Sequence, residues 1–361
     1  MQGQTTYLPR ASQVLFLLIA GTAVVYIAKP VLVPLVFALV LAMLLTPLSR
    51  KLEKTGLNKA IAVLCCIIIL ITAFAIIIGL LSWQLSTLLD DVEEIKQRFS
   101  ALIKQLQTFI RAHTGMNTSE QKEAVKEAGK SSSAGFFGQM TSAIMGALVN
   151  IILVLVYTFL IIYFRSHLMQ FIKKAVPATQ RGNVSGLVQQ ASDVSQKYLG
   201  GLSLMIFTLW IMYSIGFSIV GVKYAIFFAV LCGTLEVIPF IGNVTGTLLT
   251  VAMAVLQGGN TQLITGILIT YGLVQFIQTY LLEPLIVGKG VNLNPLFTIM
   301  AIVIGDAVWG IPGMVLAVPV FGMLKIFCDH FDSLKPYGFL LGSEKKEKSS
   351  EGFLSRIKKL F

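Results

Sequence analysis

Apolar and polar positions in this chain are segregated into long blocks rather than interleaved. Uncharged runs long enough to cross a ~30 Å hydrocarbon core occupy Ala11–Ala28, Val31–Leu48, Ile61–Leu81, Ala143–Phe164, Leu202–Val222 and, with one acid near its end, Leu263–Ile286. Lys29-Pro30 between the first two predicts a tight helical hairpin. Two further apolar stretches, Tyr224–Leu256 and Pro295–Leu324, break internally. The breaks are Pro239-Phe240-Ile241-Gly242-Asn243 and Gly310-Ile311-Pro312-Gly313. The first stretch has 33 residues, which as one straight helix would run ~50 Å. Each stretch is therefore expected to be a long broken span or a re-entrant hairpin, with protein or water satisfying the freed backbone groups.

A different pattern fills residues 84–141. Leu85, Leu88, Val92, Ile95, Phe99, Leu102, Leu106 and Phe109 alternate three- and four-residue steps, a heptad seam that extends the third membrane helix beyond the bilayer. The seam packs either on a return helix from Ser119 or between subunits; both readings stand. Residues Lys130–Gly135 read as a turn or joint. At the C-terminus, Phe353, Leu354, Ile357, Leu360 and Phe361 share one helical face opposite Arg356, Lys358 and Lys359. That face suits a short helix on an anionic inner leaflet, with a disordered basic tail as the alternative.

Composition agrees with the blocks. Only 12% of residues are charged and 55% are hydrophobic, which excludes a disordered chain, a disulfide scaffold and a cytosolic enzyme. The net charge of +11 in a soluble chain would raise nucleic-acid binding. Here the basic residues lie between the apolar runs, so membrane orientation explains them and no nucleic-acid partner is expected. Arg50, Lys51, Lys54 and Lys59 against Glu53 follow the second run, and Arg165, Lys173, Lys174, Arg181 and Lys197 against Asp193 follow the fourth. The 84–141 segment holds seven residues of each sign. N-terminus, second loop, fourth loop and C-terminus are thus expected to be cytoplasmic and 84–141 outside. The first apolar run, with Arg10 ahead of it and no cleavage site, reads as a retained helix. Cys65, Cys66, Cys232 and Cys328 lie in or at the end of apolar runs and read as small hydrophobes.

The acids narrow the chemistry. Of the seventeen, all but Glu236, Glu283 and Asp306 fall in loops, the outer segment or the tail. An ionised side chain at the bilayer centre costs about 3 kcal/mol even on lenient scales, so such a residue normally faces a cavity, a partner or a pathway. Glu283 precedes Pro284 and lies near Lys289, which suits a headgroup-level position. Glu236 stands three residues before Pro239, and Asp306 just before Gly310-Ile311-Pro312-Gly313. Broken helices expose backbone groups at membrane depth, where secondary transporters bind ions and polar solutes. Tyr271, Gln275, Thr279 and Glu283 recur every four residues, either as interhelical glue or as the lining of a pathway. The expected pathway set is Glu236, Pro239, Gly242, Asn243, Gln275, Thr279, Glu283, Asp306, Gly310, Pro312 and Gly313, with a proton or Na+ at Glu236 and Asp306. The three histidines fall outside the apolar runs and no GxxxxGK[ST] sequence occurs. No enzyme, metal centre or cofactor is expected, and any pumping must draw on an ion gradient.

The C-terminal half resembles the autoinducer-2 exporter transporter family of bacterial membrane proteins. The resemblance rests on Tyr198-Leu199-Gly200-Gly201, Gly221-Val222-Lys223-Tyr224-Ala225, Leu235 through Gly242, Pro284 through Lys289 with Leu293-Asn294-Pro295-Leu296, and Gly310-Ile311-Pro312-Gly313 running to Pro319. Order and spacing match over residues 195–325, whereas the N-terminal half matches in layout alone, and Lys223 stands where the family commonly has proline. The resemblance implies about eight membrane segments, a homo-oligomer with a pentamer as the expected number, and transport of a small polar solute. Members are described as exporters of autoinducer-2 or as Na+/H+ antiporters.

The expected fold is therefore all-α and polytopic, in the bacterial inner membrane. Residues 1–83 form three membrane helices and 84–141 an extramembrane helical hairpin. Residues 142–199 form a fourth membrane helix with an amphipathic linker, 200–328 a transport core with two broken segments, and 329–361 a basic tail. The expected function is export of a small polar solute on an ion gradient. Na+/H+ antiport is the alternative, and a non-transporting scaffold built on the outer coiled coil is a more distant one.

Overall fold

A computed structural model of the chain describes residues 7–89, 134–177, 181–239, 241–287 and 293–343. The heptad seam beyond Leu89 and the amphipathic tail lie outside these residues. What is described is helical, with no strand among the described residues. Six of the described helices are long and apolar enough to cross a membrane.

The first three helices are α1 (Tyr7–Ile27), α2 (Lys29–Lys54) and α3 (Lys59–Leu89). Pro30 sits in the first turn of α2, where its missing N–H leaves no bond unmade, so α2 starts one residue after α1 ends; the structure shows a break at Ala28 and, among the described residues, no packed hairpin between the two helices. Next come α4 (Ala134–Tyr163) and the amphipathic α5 (Arg165–Ala175). Ala134 and Gly135, which the sequence places in a joint, are the first residues of α4. Ala42, Leu45, Val63, Cys66, Ile67 and Ile162 form the core between α2, α3 and α4.

A second core is organised by α6 (Arg181–Val220), 40 residues and ~60 Å long, which runs unbroken through residue 200, where the sequence reading placed the start of the core. Its buried positions Ser195, Tyr198, Gly201, Met205, Leu209, Tyr213 and Phe217 recur at three- and four-residue steps, one stripe of the helix. Against it pack α7 (Ala225–Leu235), α8 (Ile241–Leu256) and α9 (Thr261–Ile277), the last continued by a π-helical segment, Gln278–Val287. Outward faces are apolar: Ile269 and Leu273 are exposed while Thr270 and Val274, each the next residue along, are buried, the arrangement that lipid rather than water favours.

Both internally broken stretches are hairpins. At 11 residues, α7 is ~16 Å long, about half a hydrocarbon core, so it cannot cross alone. It descends beside α6 until Gly233 meets Trp210, and α8 returns past it with Gly246 against Cys232. The second hairpin is α10 (Pro295–Trp309) and α11 (Ile311–His330). Gly310, at φ +68°, makes its turn, and the backbones touch where a Cβ on Gly313 would lie 1.9 Å from the Gly305 carbonyl oxygen. The hairpin starts and ends at one side, because the Asn294 N–H donates to the Leu341 carbonyl at the end of α12 (Lys335–Leu341).

Candidate functional site

Depth along the bundle can be read from α6. Residues 198–222 carry no charge, and Trp210 is their midpoint. Trp210 donates through its indole N–H to the Thr234 hydroxyl at 3.2 Å, which fixes the end of α7 at that level. On the other side α9 runs antiparallel to α6: Val220 meets Gly266, Thr270 meets Gly216, and the Ile286 carbonyl meets Gly201. The α7–α8 break and the junction between α9 and the π segment therefore share the middle of the membrane-crossing length.

At that level α7 ends and Glu236 begins the break. Its backbone N–H still donates to the Cys232 carbonyl, while Pro239 permits no continuing helix. Gly242 restarts the chain in contact with what it left: a Cβ there would fall 1.7 Å from the Leu235 carbonyl oxygen, so only glycine fits. The break presents the Glu236 carboxylate to the π segment. One oxygen accepts from the Gln278 side-chain amide at 2.7 Å. Gln275 in turn donates to the Gln278 carbonyl oxygen at 3.2 Å, and the Tyr271 hydroxyl donates to the Asn243 carbonyl oxygen at 3.2 Å. The second oxygen of Glu236 is buried without a hydrogen-bond partner, and so is the Tyr213 hydroxyl.

No Lys or Arg pairs with Glu236 among the described residues. An isolated carboxylate at this depth is costly when ionised, and its free oxygen has an unused acceptor position that a proton or another donor can take. Of the nearby amide oxygens, those of Asn243 and Gln278 already accept hydrogen bonds, from Tyr271 and Gln275. No group of three or more His, Cys, Asp or Glu able to hold a metal occurs among the described residues.

The structure brings Glu236, Pro239, Gly242, Asn243 and Gln275 together, and it separates the rest of the predicted set. Thr279 and Glu283 are exposed on the π segment. Asp306 is exposed on α10, one turn beyond buried Ile302 and beside Gly305, where the helix meets Gly313. Gly310, Pro312 and Gly313 shape the α10–α11 turn rather than line a polar space. Gln278, only 3% exposed, is the contact that the four-residue stripe overlooks. The three inward residues Tyr271, Gln275 and Gln278 have i, i+4, i+7 spacing, which keeps one helical face. A stripe of strict fours drifts ~40° per step, and the π segment changes the register further.

Comparison with known proteins places this geometry. A family model described as AI-2E family transporter matches residues 15–333. The chain is 24% identical over 321 residues to YrrI of Bacillus subtilis, named a candidate transport protein, covering 84% of this chain and 88% of that one. It is 24% identical over 332 residues to PerM of Escherichia coli K12, named a candidate permease, covering 88% and 92%. To a third, the candidate transport protein MT0215 of Mycobacterium tuberculosis, identity is 28% over 301 residues, 80% of each chain. With the match spanning both the N-terminal bundle and the hairpin core, this chain is a membrane protein of the AI-2E transporter family.

Proposed function

We propose that the protein is an ion-coupled secondary transporter of the bacterial inner membrane that exports a small polar solute, with Glu236 as the coupling site. The supporting observation is the buried carboxylate at mid-depth, held by Gln278 through one oxygen and unpartnered at the other. Protonation and solute or cation binding compete for the free oxygen, so occupancy of one excludes the other and links their movements. The half-length α7–α8 hairpin brings the carboxylate to this depth, and the polar face of Tyr271, Gln275 and Gln278 supplies hydrogen bonds. An autoinducer-2-like signalling molecule is the solute to which the family resemblance points. The termini are proposed to be cytoplasmic from the basic loops, and the working unit is proposed to be a homo-oligomer.

A second reading, Na+/H+ antiport, is favoured by the buried carboxylate oxygen without a partner, a hard ligand for which a proton and Na+ can compete. Purified protein in proteoliposomes under an imposed pH gradient tests both. Uptake or counterflow of autoinducer-2 that follows the gradient supports the first, and gradient-driven Na+ movement without solute supports the second. Absence of both fluxes in correctly inserted protein overturns the assignment of Glu236 as a coupling site.

A further inference from the structure

A cavity in the described structure lies remote from Glu236. It is a cleft of about 840 Å³ between α2, α4, α5 and α6, at the basic end of the helices. That volume lies toward the upper end of the ~300–1,000 Å³ range of small-molecule sites. One stripe of α2 forms its floor, from Leu39 through Met43 and Thr46 to Arg50 and Lys54, which spans ~22 Å along the helix axis. The deep end is mostly apolar, with Leu39, Ala42, Met43 and Ile161 beside the Gln196 amide, and Leu168 and Ile172 of amphipathic α5 line the cleft from the side. The shallow end carries Arg50, Lys51, Lys54 and Arg165, and no acid lines the cleft.

The four cations are not equivalent. Arg165 holds Glu53 with both guanidinium nitrogens, at 2.9 and 2.5 Å, and Ser49 donates to the same carboxylate at 2.9 Å. That fork ties α5 to the end of α2 and neutralises Arg165. Among the described residues no acid pairs with Arg50, Lys51 or Lys54. The cleft thus offers three uncompensated positive charges at the level where the apolar run of α2 ends, above an apolar slot open at bilayer depth. A soluble anion would use the charges and leave the slot empty. A cationic rim above a mostly apolar slot matches a molecule with an anionic head and a hydrocarbon tail.

We propose that this cleft is a binding site for an anionic phospholipid of the leaflet on the basic side of the membrane. Arg50, Lys51 and Lys54 take the phosphate headgroup, and the slot between Leu39, Ile161 and Ile172 takes part of an acyl chain. The lipid fills the space between the α2–α4 bundle and α6, whose direct ties there include the Gln196 amide on the Met43 carbonyl at 2.9 Å. It thereby joins the N-terminal bundle to the helix that carries the transport core.

Native mass spectrometry of the full-length protein, extracted from bilayers of phosphatidylcholine and phosphatidylglycerol, tests this. Juxtamembrane basic residues each favour anionic lipid, so wild type is expected to retain phosphatidylglycerol about tenfold or more over phosphatidylcholine. R50Q/K51Q/K54Q is expected to lose that preference, and the milder K51Q/K54Q, which keeps Arg50 and the fork, to lose part of it. Ile172→Gln, which leaves every charge in place, is expected to weaken lipid retention as well. Equal retention of both lipids by wild type overturns the proposal. So does a preference that survives the triple substitution, which would place the lipid elsewhere, as on the basic tail. Inorganic phosphate that competes with phosphatidylglycerol as well as a second anionic lipid does would make this a free-anion site and also overturn it. Oligomer loss in K51Q/K54Q with lipid retention unchanged would make the cleft a subunit contact, with the same consequence.

Discussion

Replacing Glu236 by glutamine and by alanine separates its titration from its structural role. Glutamine keeps the volume and the oxygen that accepts from Gln278 at 2.7 Å, but it binds no exchangeable proton. Alanine removes the acceptor and orphans the Gln278 amide, which is 3% exposed. An unsatisfied buried donor costs about 1–3 kcal/mol, so E236A is expected to be less stable than wild type by that amount. E236Q keeps the Gln278 contact but buries an amide N–H group where the free oxygen stood, so it is expected to fall no further below wild type than E236A does. Flux should order differently. If one proton exchanges per solute, a gradient of one pH unit supplies about 1.4 kcal/mol, or about tenfold accumulation. Both variants should fall to simple equilibration while wild type reaches that limit. The assay is solute or Na+ accumulation in proteoliposomes across a pH gradient, alongside thermal unfolding in detergent. Tenfold accumulation retained by E236Q would refute the coupling role whatever the stability data show.

Three further expectations are narrower. Gln278→Leu should lower stability by about 1–3 kcal/mol and impair coupling, because it leaves both carboxylate oxygens unpartnered; Thr279→Val, on the exposed neighbour, should do neither, and equal effects on thermal unfolding and flux would return the network to packing. Gly313→Ala should destabilise by about 1–3 kcal/mol because its methyl lands on the Gly305 carbonyl, whereas Gly272→Ala, with nothing within 4 Å, should be neutral or stabilising in thermal unfolding. If both broken stretches are hairpins, cysteines at Asn260 and Ser333 label from opposite sides of the membrane with an impermeant reagent; labelling from one side breaks that topology.

Much of the fold was legible because bilayer length and backbone satisfaction leave few choices. Prolines and glycines that interrupt apolar runs mark where helices end: the Pro239 break and Gly310 are turns, and Lys29-Pro30 opens α2 one residue after α1 stops. The charges along 181–197 suggested a separate linker, but they do not interrupt a helix. Nothing there lacks an N–H, and α6 runs from the polar zone into the apolar one without a stop. The hairpin character of α7–α8 was open in the sequence because total length fits either topology. Only the contact of Gly233 with Trp210, halfway along α6, shows how far the first arm descends.

The site was legible by depth and not by face. Counting acids outside the loops isolates Glu236 and Asp306 equally, since hydropathy reports how deep a residue lies but not which way it points. Asp306 could have been separated from Glu236 by its neighbours. Ala301 and Gly305, four apart, are the small residues on which membrane helices close-pack, and Asp306 lies ~100° round the helix from Gly305. That face is the one buried against α11, so the acid next to it projects outward. The same reasoning run along α9 would have replaced Thr279 with Gln278, because only the latter stays in line with Tyr271 and Gln275. A polar residue in a membrane helix carries information about function once the small and buried positions around it have fixed the inward face. By that criterion Glu236, whose carboxylate meets an inward glutamine across a helix break, is the acid on which gradient coupling in this chain should depend.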